Sequence, residues 1–148
     1  MRLVFDTAIL ARANPKASGI ARELLERVWE DGHSLIVSPF LLEEIKRVLS
    51  YPRLQAQYKL SAVEITDFVD YLETVAEVID PVVTEPVVLS DPNDDPIIYA
   101  AVAGQADVIC TLDRHFSAPN VIEFCRMRNI RVMGDVELLA LLARRRGR

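Results

Sequence analysis

Four short apolar runs, each closed by turn or helix-start chemistry, constrain this chain more than any other feature. They are Leu3-Val4-Phe5, Leu35-Ile36-Val37, Val87-Val88-Leu89 and Val108-Ile109-Cys110. None alternates with polar residues, so each reads as a strand buried on both faces, as the strands of parallel sheets are. Amphipathic stretches of helical length separate them, and Ile130-Arg131-Val132-Met133 after Asn129 reads as a final strand. Parallel strands joined by right-handed helical crossovers all end on the same edge. The pattern therefore predicts an α/β fold with a central parallel sheet. At 148 residues, 51% of them hydrophobic, the chain suits one domain over 1–148 with a full core and no linker.

The helices carry their own punctuation. Residues 17–31 set Ile20, Leu24, Leu25 and Val28 on one stripe with Trp29 beside it, and Gly32 stops them. Ser38 is an N-cap before Pro39, opening a helix with Leu41, Leu42, Ile45, Val48 and Leu49 that Tyr51-Pro52 ends. Ser61 and Glu64 form a capping box, after which Ile65, Phe68, Val69, Leu72, Val75 and Ile79 predict one long helix up to Pro81. Residues 96–106 are rich in alanine and glycine, which lets a helix lie close against a sheet. Val136, Leu138, Leu139, Leu141 and Leu142 predict a closing helix.

On this frame four acids fall where strands run into loops or helices. Asp6 and Asp113 lie just past their strands, and Glu44 and Asp95 in the first turns of the helices that follow. Open α/β sheets bind ligands along that carboxyl edge. Four carboxylates gathered there are how oxygen ligands build a divalent-metal site. The apolar arc of the second helix centres near Ile45, so Glu43 faces water while Glu44 borders the arc and points toward a cleft. In Asp91-Pro92-Asn93-Asp94-Asp95-Pro96, an N-cap at Asp95 with Pro96 as the first helical residue explains one aspartate and leaves Asp91 and Asp94 as supporting acids. Repulsion among them raises their pKa values unless a cation or hydrogen bonds compensate. Thr111 either orients a water or phosphate oxygen, or bonds its own backbone. His115, two residues past Asp113, reads as a loop histidine or as a base or phosphate contact, and His33 carries no signal.

Other chemistries are poorly supplied. The sequence has no Walker A loop, no GxGxxG, no HExxH and no nucleophile elbow. Cys110 and Cys125 form no paired spacing, so both read as buried thiols. No apolar run approaches the roughly 18 residues of a membrane span, and Asp6 interrupts any signal-peptide core, so a soluble, cytoplasmic protein with no membrane partner is expected. A net charge of −5 argues against phosphate binding unless bound cations offset the acids. Arg47, Arg53, Lys59, Arg114, Arg126, Arg128 and Arg131 are then available around the approaches, with Arg47 and Arg114 the nucleic-acid contacts nearest the acids. The tail 144–148 holds four arginines in five residues with no packing reason, as a solubilising end or a contact for phosphate or an acidic partner.

Taken together, Phe5-Asp6-Thr7, Ser38-Pro39-Phe40-Leu41-Leu42-Glu43-Glu44, Asp91-Pro92-Asn93-Asp94-Asp95 and Ala106-Asp107-Val108-Ile109-Cys110-Thr111-Leu112-Asp113 resemble, in order and spacing, the PIN-domain family and its VapC-like toxin branch. The resemblance implies a three-layer α/β/α sandwich and a Mg²⁺- or Mn²⁺-dependent endoribonuclease acting on RNA, commonly a homodimer inhibited by a cognate antitoxin protein. It implies the quartet Asp6, Glu44, Asp95 and Asp113 as catalytic acids, with Asp6, Asp95 and Asp113 on the metal. Two positions depart from the family's pattern: Ala8 stands where Asn or Ser is common after Asp-Thr, and His115 where many members have a further acid.

Two rival readings use the same edge. A phosphatase or phosphotransferase with Asp6 as nucleophile would ordinarily have a second Asp at position 8, which is Ala. A PIN-fold binding module that lost catalysis, working in an RNA-processing or antitoxin complex, would bind metal without turning over any nucleic acid.

Overall fold

The first strand, β1 (Arg2–Phe5), is the centre of the molecule. It pairs in parallel with β2 (Ser34–Val37) on one side and with β4 (Val108–Cys110) on the other. Beyond β2 lies the two-residue β3 (Glu77–Val78), and beyond β4 lies β5 (Arg131–Met133), giving the all-parallel order β3-β2-β1-β4-β5. Helices cover both sides, as the three-layer sandwich requires. The computed structural model describes residues 1–82 and 85–147.

Leu3, Val4, Phe5, Ile36, Val37, Val108, Ile109 and Cys110 are all fully buried, which is why their apolar runs show no alternation. Between β1 and β2 come α1 (Thr7–Arg12) and α2 (Ile20–Glu30). Between β2 and β3 come α3 (Pro39–Leu49), α4 (Pro52–Tyr58) and α5 (Ala62–Val75). Then follow α6 (Asp95–Ala103) before β4, α7 (Pro119–Arg126) before β5, and α8 (Asp135–Arg146). Helix α3 packs against α1 and α5, α2 against α8, and α6 against the central strands. The Ser38 cap, the Ser61–Glu64 capping box and the Pro39 start all form as the sequence predicts. The small residues ending α6 serve close approach: a Cβ on Gly104 would stand 2.7 Å from the Ile36 side chain. Cys110 and Cys125 are buried free thiols.

Two expectations need correction. Val87-Val88-Leu89 is not a strand, although Val87 and Val88 are buried; the backbone N–H groups of both donate to the Asp95 carboxylate instead of to a neighbouring strand. The helix expected to run to Pro81 ends at Val75, where Ala76 turns extended, and Glu77–Val78 form the edge strand. Ile79, which continued the helical stripe, donates its N–H to Val37 O at 2.8 Å. Of the arginine-rich tail, Arg144, Arg145 and Arg146 form the exposed last turn of α8, where Arg146 Nε lies 3.3 Å from Asp31 Oδ1.

Candidate metal centre

The chain builds β1, β2 and β3 outward in one direction and then returns past β1 to build β4 and β5 in the other. Between β1 and β4 the direction of winding reverses, and crevices open at the carboxyl ends of the strands flanking such a point. A cleft of about 500 Å³ lies there, lined by Asp6, Thr7, Ala8, Phe40, Glu44, Val48, Asn93, Asp94, Ile97, Leu112 and Asp113.

Its floor follows from strand register. Phe5 pairs with Cys110, so the next residues, Asp6 and Thr111, meet across the same edge. Thr111 Oγ1 donates to Asp6 Oδ2 in a very short hydrogen bond, and accepts from the Asp113 N–H at 3.0 Å. Asp6 also caps α1, with Oδ1 accepting from Ile9 N–H at 2.9 Å. Asp113 Oδ1 likewise accepts from His115 N–H at 2.9 Å. Burial is the main cause of a raised Asp6 pKa, and the Asp113 charge adds to it; Thr111, the Ile9 N–H and Arg12 pull the other way. Thr111 thus links the Asp6 carboxylate to the Asp113 backbone through one hydroxyl, which is the internal-bonding reading of this residue, and it does not itself line the cleft.

The Asp91–Pro96 turn is arranged differently from the sequence expectation. Asp95 is the first residue of α6, buried, with one carboxylate oxygen accepting from Val87 N–H at 2.9 Å and from Val88 N–H at 2.7 Å. Its carboxylate turns into the protein and does not line the cleft. Asp94 lines it instead, from the N-cap position of α6, where it makes no capping bond. Burial first, then the charges of Asp113 and Asp91 and a hydrogen bond with Asp113, push the Asp94 pKa up to about 7, against a small lowering by His115. Asp94 Oδ2 is buried with no hydrogen-bond partner. Asp91 stands outside the cleft, capping a single 3-10 turn through Asn93 N–H. Sequence reasoning ranked Asp94 below Asp95 on the position of Asp95 at the start of the helix and on the family resemblance, although a cap already explained Asp95. The signal it missed is that Val87 and Val88 needed an acceptor.

Glu44 reaches the cleft from the second turn of α3, one turn beyond where the sequence placed it, while Glu43 is exposed as expected. Arg47 is bound to it, with Nη2 2.5 Å from Glu44 Oε1, and Arg47 also donates to the Tyr51 hydroxyl. Arg47 is thereby a partner of the acid itself. Arg114 is exposed in the 3-10 turn after Asp113. Arg126, Arg128 and Arg131 line other hollows of the surface. His115 Nδ1 lies 2.7 Å from Ser90 Oγ, at the other end of the turn that carries Asp94. A fifth acid, Asp135, follows β5 on the same edge, but it is buried against Arg12 at 3.8 Å and outside the cleft.

Among the described residues no three Asp, Glu, His or Cys side chains converge, as they stand, on one ion position. The donor set nevertheless fits a hard divalent cation, which takes carboxylate oxygens. The observation that decides the fit is Asp94: an unpartnered buried carboxylate oxygen beside a second carboxylate is stabilised by a positive charge.

The family model described as PIN domain matches residues 2–115. The chain belongs to the PIN domain family. The matched span of this PIN domain contains every acid of the cleft, Asp6, Glu44, Asp94 and Asp113. PIN domains are generally nucleases. In three dimensions the chain is similar to a chain of VapBC2 from Rickettsia felis, solved bound to a DNA fragment from their promoter, with a TM-score of 0.52 and 17% identity over 90% of this chain and 98% of that one. At that identity the likeness is one of fold. No curated protein sequence matches the chain significantly.

Proposed function

We propose that this PIN domain is a Mg²⁺- or Mn²⁺-dependent endoribonuclease, the toxin of a toxin–antitoxin pair, and that Asp6, Glu44, Asp94 and Asp113 are its acids. The observation that carries the reading is the gathering of these four around one cleft at the reversal point of the sheet, with one carboxylate oxygen buried and unpartnered. In this reading Asp94 takes the role the sequence gave to Asp95.

The residues divide the work. Asp6 and Asp113 hold the ion, and Thr111 fixes both of them through one hydroxyl. Asp94 would supply the third carboxylate to such an ion. Glu44 completes the site or orients the attacking water, and Arg47 holds Glu44 in place. The ion supplies Lewis acidity toward water and neutralises charge developing on the phosphodiester. Arg114, exposed beside Asp113, contacts the RNA backbone.

An antitoxin partner is supported by the shared fold with VapBC2, whose structure was solved on DNA from its own promoter. The same reading makes the protein a cytoplasmic homodimer. No helix among the described residues is long and apolar enough to cross a membrane.

The test is cleavage of end-labelled RNA by purified protein in Mg²⁺, in Mn²⁺ and in EDTA, beside Asp6→Asn and Asp113→Asn proteins shown by circular dichroism to be folded. Internal cutting that needs metal and disappears in both variants is the expected result. Full activity in both folded variants overturns the assignment.

A further inference from the structure

One wall of the acidic cleft is apolar in a way that metal binding does not require. Phe40 is 49% exposed and Leu112 is 57% exposed, yet both line the same cleft as Asp6, Glu44, Asp94 and Asp113. By contrast Leu41 and Phe116, nearby in sequence, are each 1% exposed and belong to the core.

Phe40 is held in place by the start of α3. It is the second helical residue, after Pro39, and the turn is locked by Ser38 Oγ accepting from Leu41 N–H at 3.2 Å. Phe40 and Glu44 are four residues apart on one helix, and such pairs lie on one face with Cβ atoms about 5–6 Å apart. The ring therefore stands one helical turn from a cleft acid. Across the cleft Leu112 immediately precedes Asp113, and its side chain rests over Gly134, where a Cβ would stand 3.0 Å from Leu112 Cδ2.

We propose that Phe40 is a stacking platform for an unpaired base next to the scissile phosphate, and so the residue of this chain that sets how tightly the site holds its substrate strand. This rests on the nuclease reading above and deepens it. A phosphodiester placed at the acids has a nucleoside on each side of it. Each base face is apolar and π-rich, and among the described residues no basic side chain lines the cleft itself to hold a second phosphate. Base stacking on an aromatic ring needs no sequence readout, because every base has a face. In a duplex those faces are already covered by neighbouring bases, so a paired strand gains nothing from Phe40.

The experiment compares wild type, Phe40→Ala, Phe40→Leu and Phe40→Trp on a single-stranded oligoribonucleotide and on the same strand in a duplex. Cutting is followed in Mn²⁺, and binding by fluorescence anisotropy of the labelled strand in Ca²⁺. Loss of one base stack costs about 1–3 kcal/mol, which is roughly a 5- to 150-fold weakening. Phe40→Ala and Phe40→Leu are expected to lose that much in kcat/KM and in affinity for the single strand. Phe40→Trp should restore both, and the duplex should be cut poorly by all four proteins. If wild type cuts the single strand and Phe40→Ala matches it in cutting and binding, the stacking proposal is overturned while the nuclease reading stands. Equal cutting of the duplex and the single strand also overturns it. If wild type neither cuts nor binds RNA, both fail together.

Discussion

The two walls of the acidic cleft are built by different means. On one side, Asp6, Thr111 and Asp113 stand at the ends of β1 and β4, and their positions are consequences of a parallel register that also pairs Phe5 with Cys110. On the other side, Asp94 hangs on a turn with no sheet beneath it. What holds that turn is the neighbouring Asp95 carboxylate on the N–H groups of Val87 and Val88, and Asn120 Nδ2 on Val87 O at 2.8 Å. Adjacent aspartates are therefore placed differently: one carboxylate is spent on the fold, and the other faces the cleft beside Asp113. A sheet edge places acids by backbone geometry, whereas a loop places them by a few side-chain bonds.

The contrast is broken most forcefully at Asp95. Asp95→Ala leaves two buried N–H groups without an acceptor, each costing about 1–3 kcal/mol, so urea unfolding should show a loss of about 3 kcal/mol. Asp94→Asn, which removes a repelled carboxylate, should unfold at or above the wild-type midpoint. Equal destabilisation by both would mean the two acids share one role.

Thr111→Val tests the strand wall. It leaves Asp6 Oδ2 without its donor and the Asp113 N–H without its acceptor, and a loss of about 2 kcal/mol in the same unfolding assay is expected. It should also raise the Asp6 pKa further and weaken Mn²⁺ binding by about 10- to 100-fold, the range for residues that orient a metal ligand.

Asn120→Ala touches only the loop wall. Removing its bond to Val87 O should cost about 1 kcal/mol, and the loss should add to that of Thr111→Val, because the two sites share no partner.

The remaining effect is on pH. An Asp94 pKa of about 7 in the fold, against an ordinary value of 3.8, means that the metal-free native state binds a proton more tightly than the unfolded chain. Stability without metal should therefore decline as pH rises from about 4 to about 7. Saturating Mn²⁺ should flatten that decline, and Asp94→Asn should remove Asp94's part of it. Chemical denaturation at several pH values, with and without the ion, measures this.

The sequence was legible where burial left a continuous apolar run. Leu3–Phe5, Leu35–Val37 and Val108–Cys110 are strands whose faces are both covered, whereas Arg131–Met133 is an edge strand with Arg131 exposed and only Met133 fully buried. Glu77–Val78 escaped notice because it is two residues long, at an edge and exposed, so nothing in its composition marks a strand. Val87–Leu89 misled for the opposite reason: its valines are buried, but their N–H groups bond to a side chain. Of the acids, Asp6, Glu44 and Asp113 could be placed from strand ends and helix periodicity. The choice between Asp94 and Asp95 depends on where Val87 and Val88 find an acceptor, which is a long-range fact.

The central claim is that Asp94 belongs with Asp6, Glu44 and Asp113 on a divalent ion. Calorimetric titration of Mn²⁺ into wild-type and Asp94→Asn protein at pH 7.5 tests it most directly. A saturable site in wild type that is lost or greatly weakened in the folded variant is the result the account predicts. An unchanged isotherm in Asp94→Asn would contradict it.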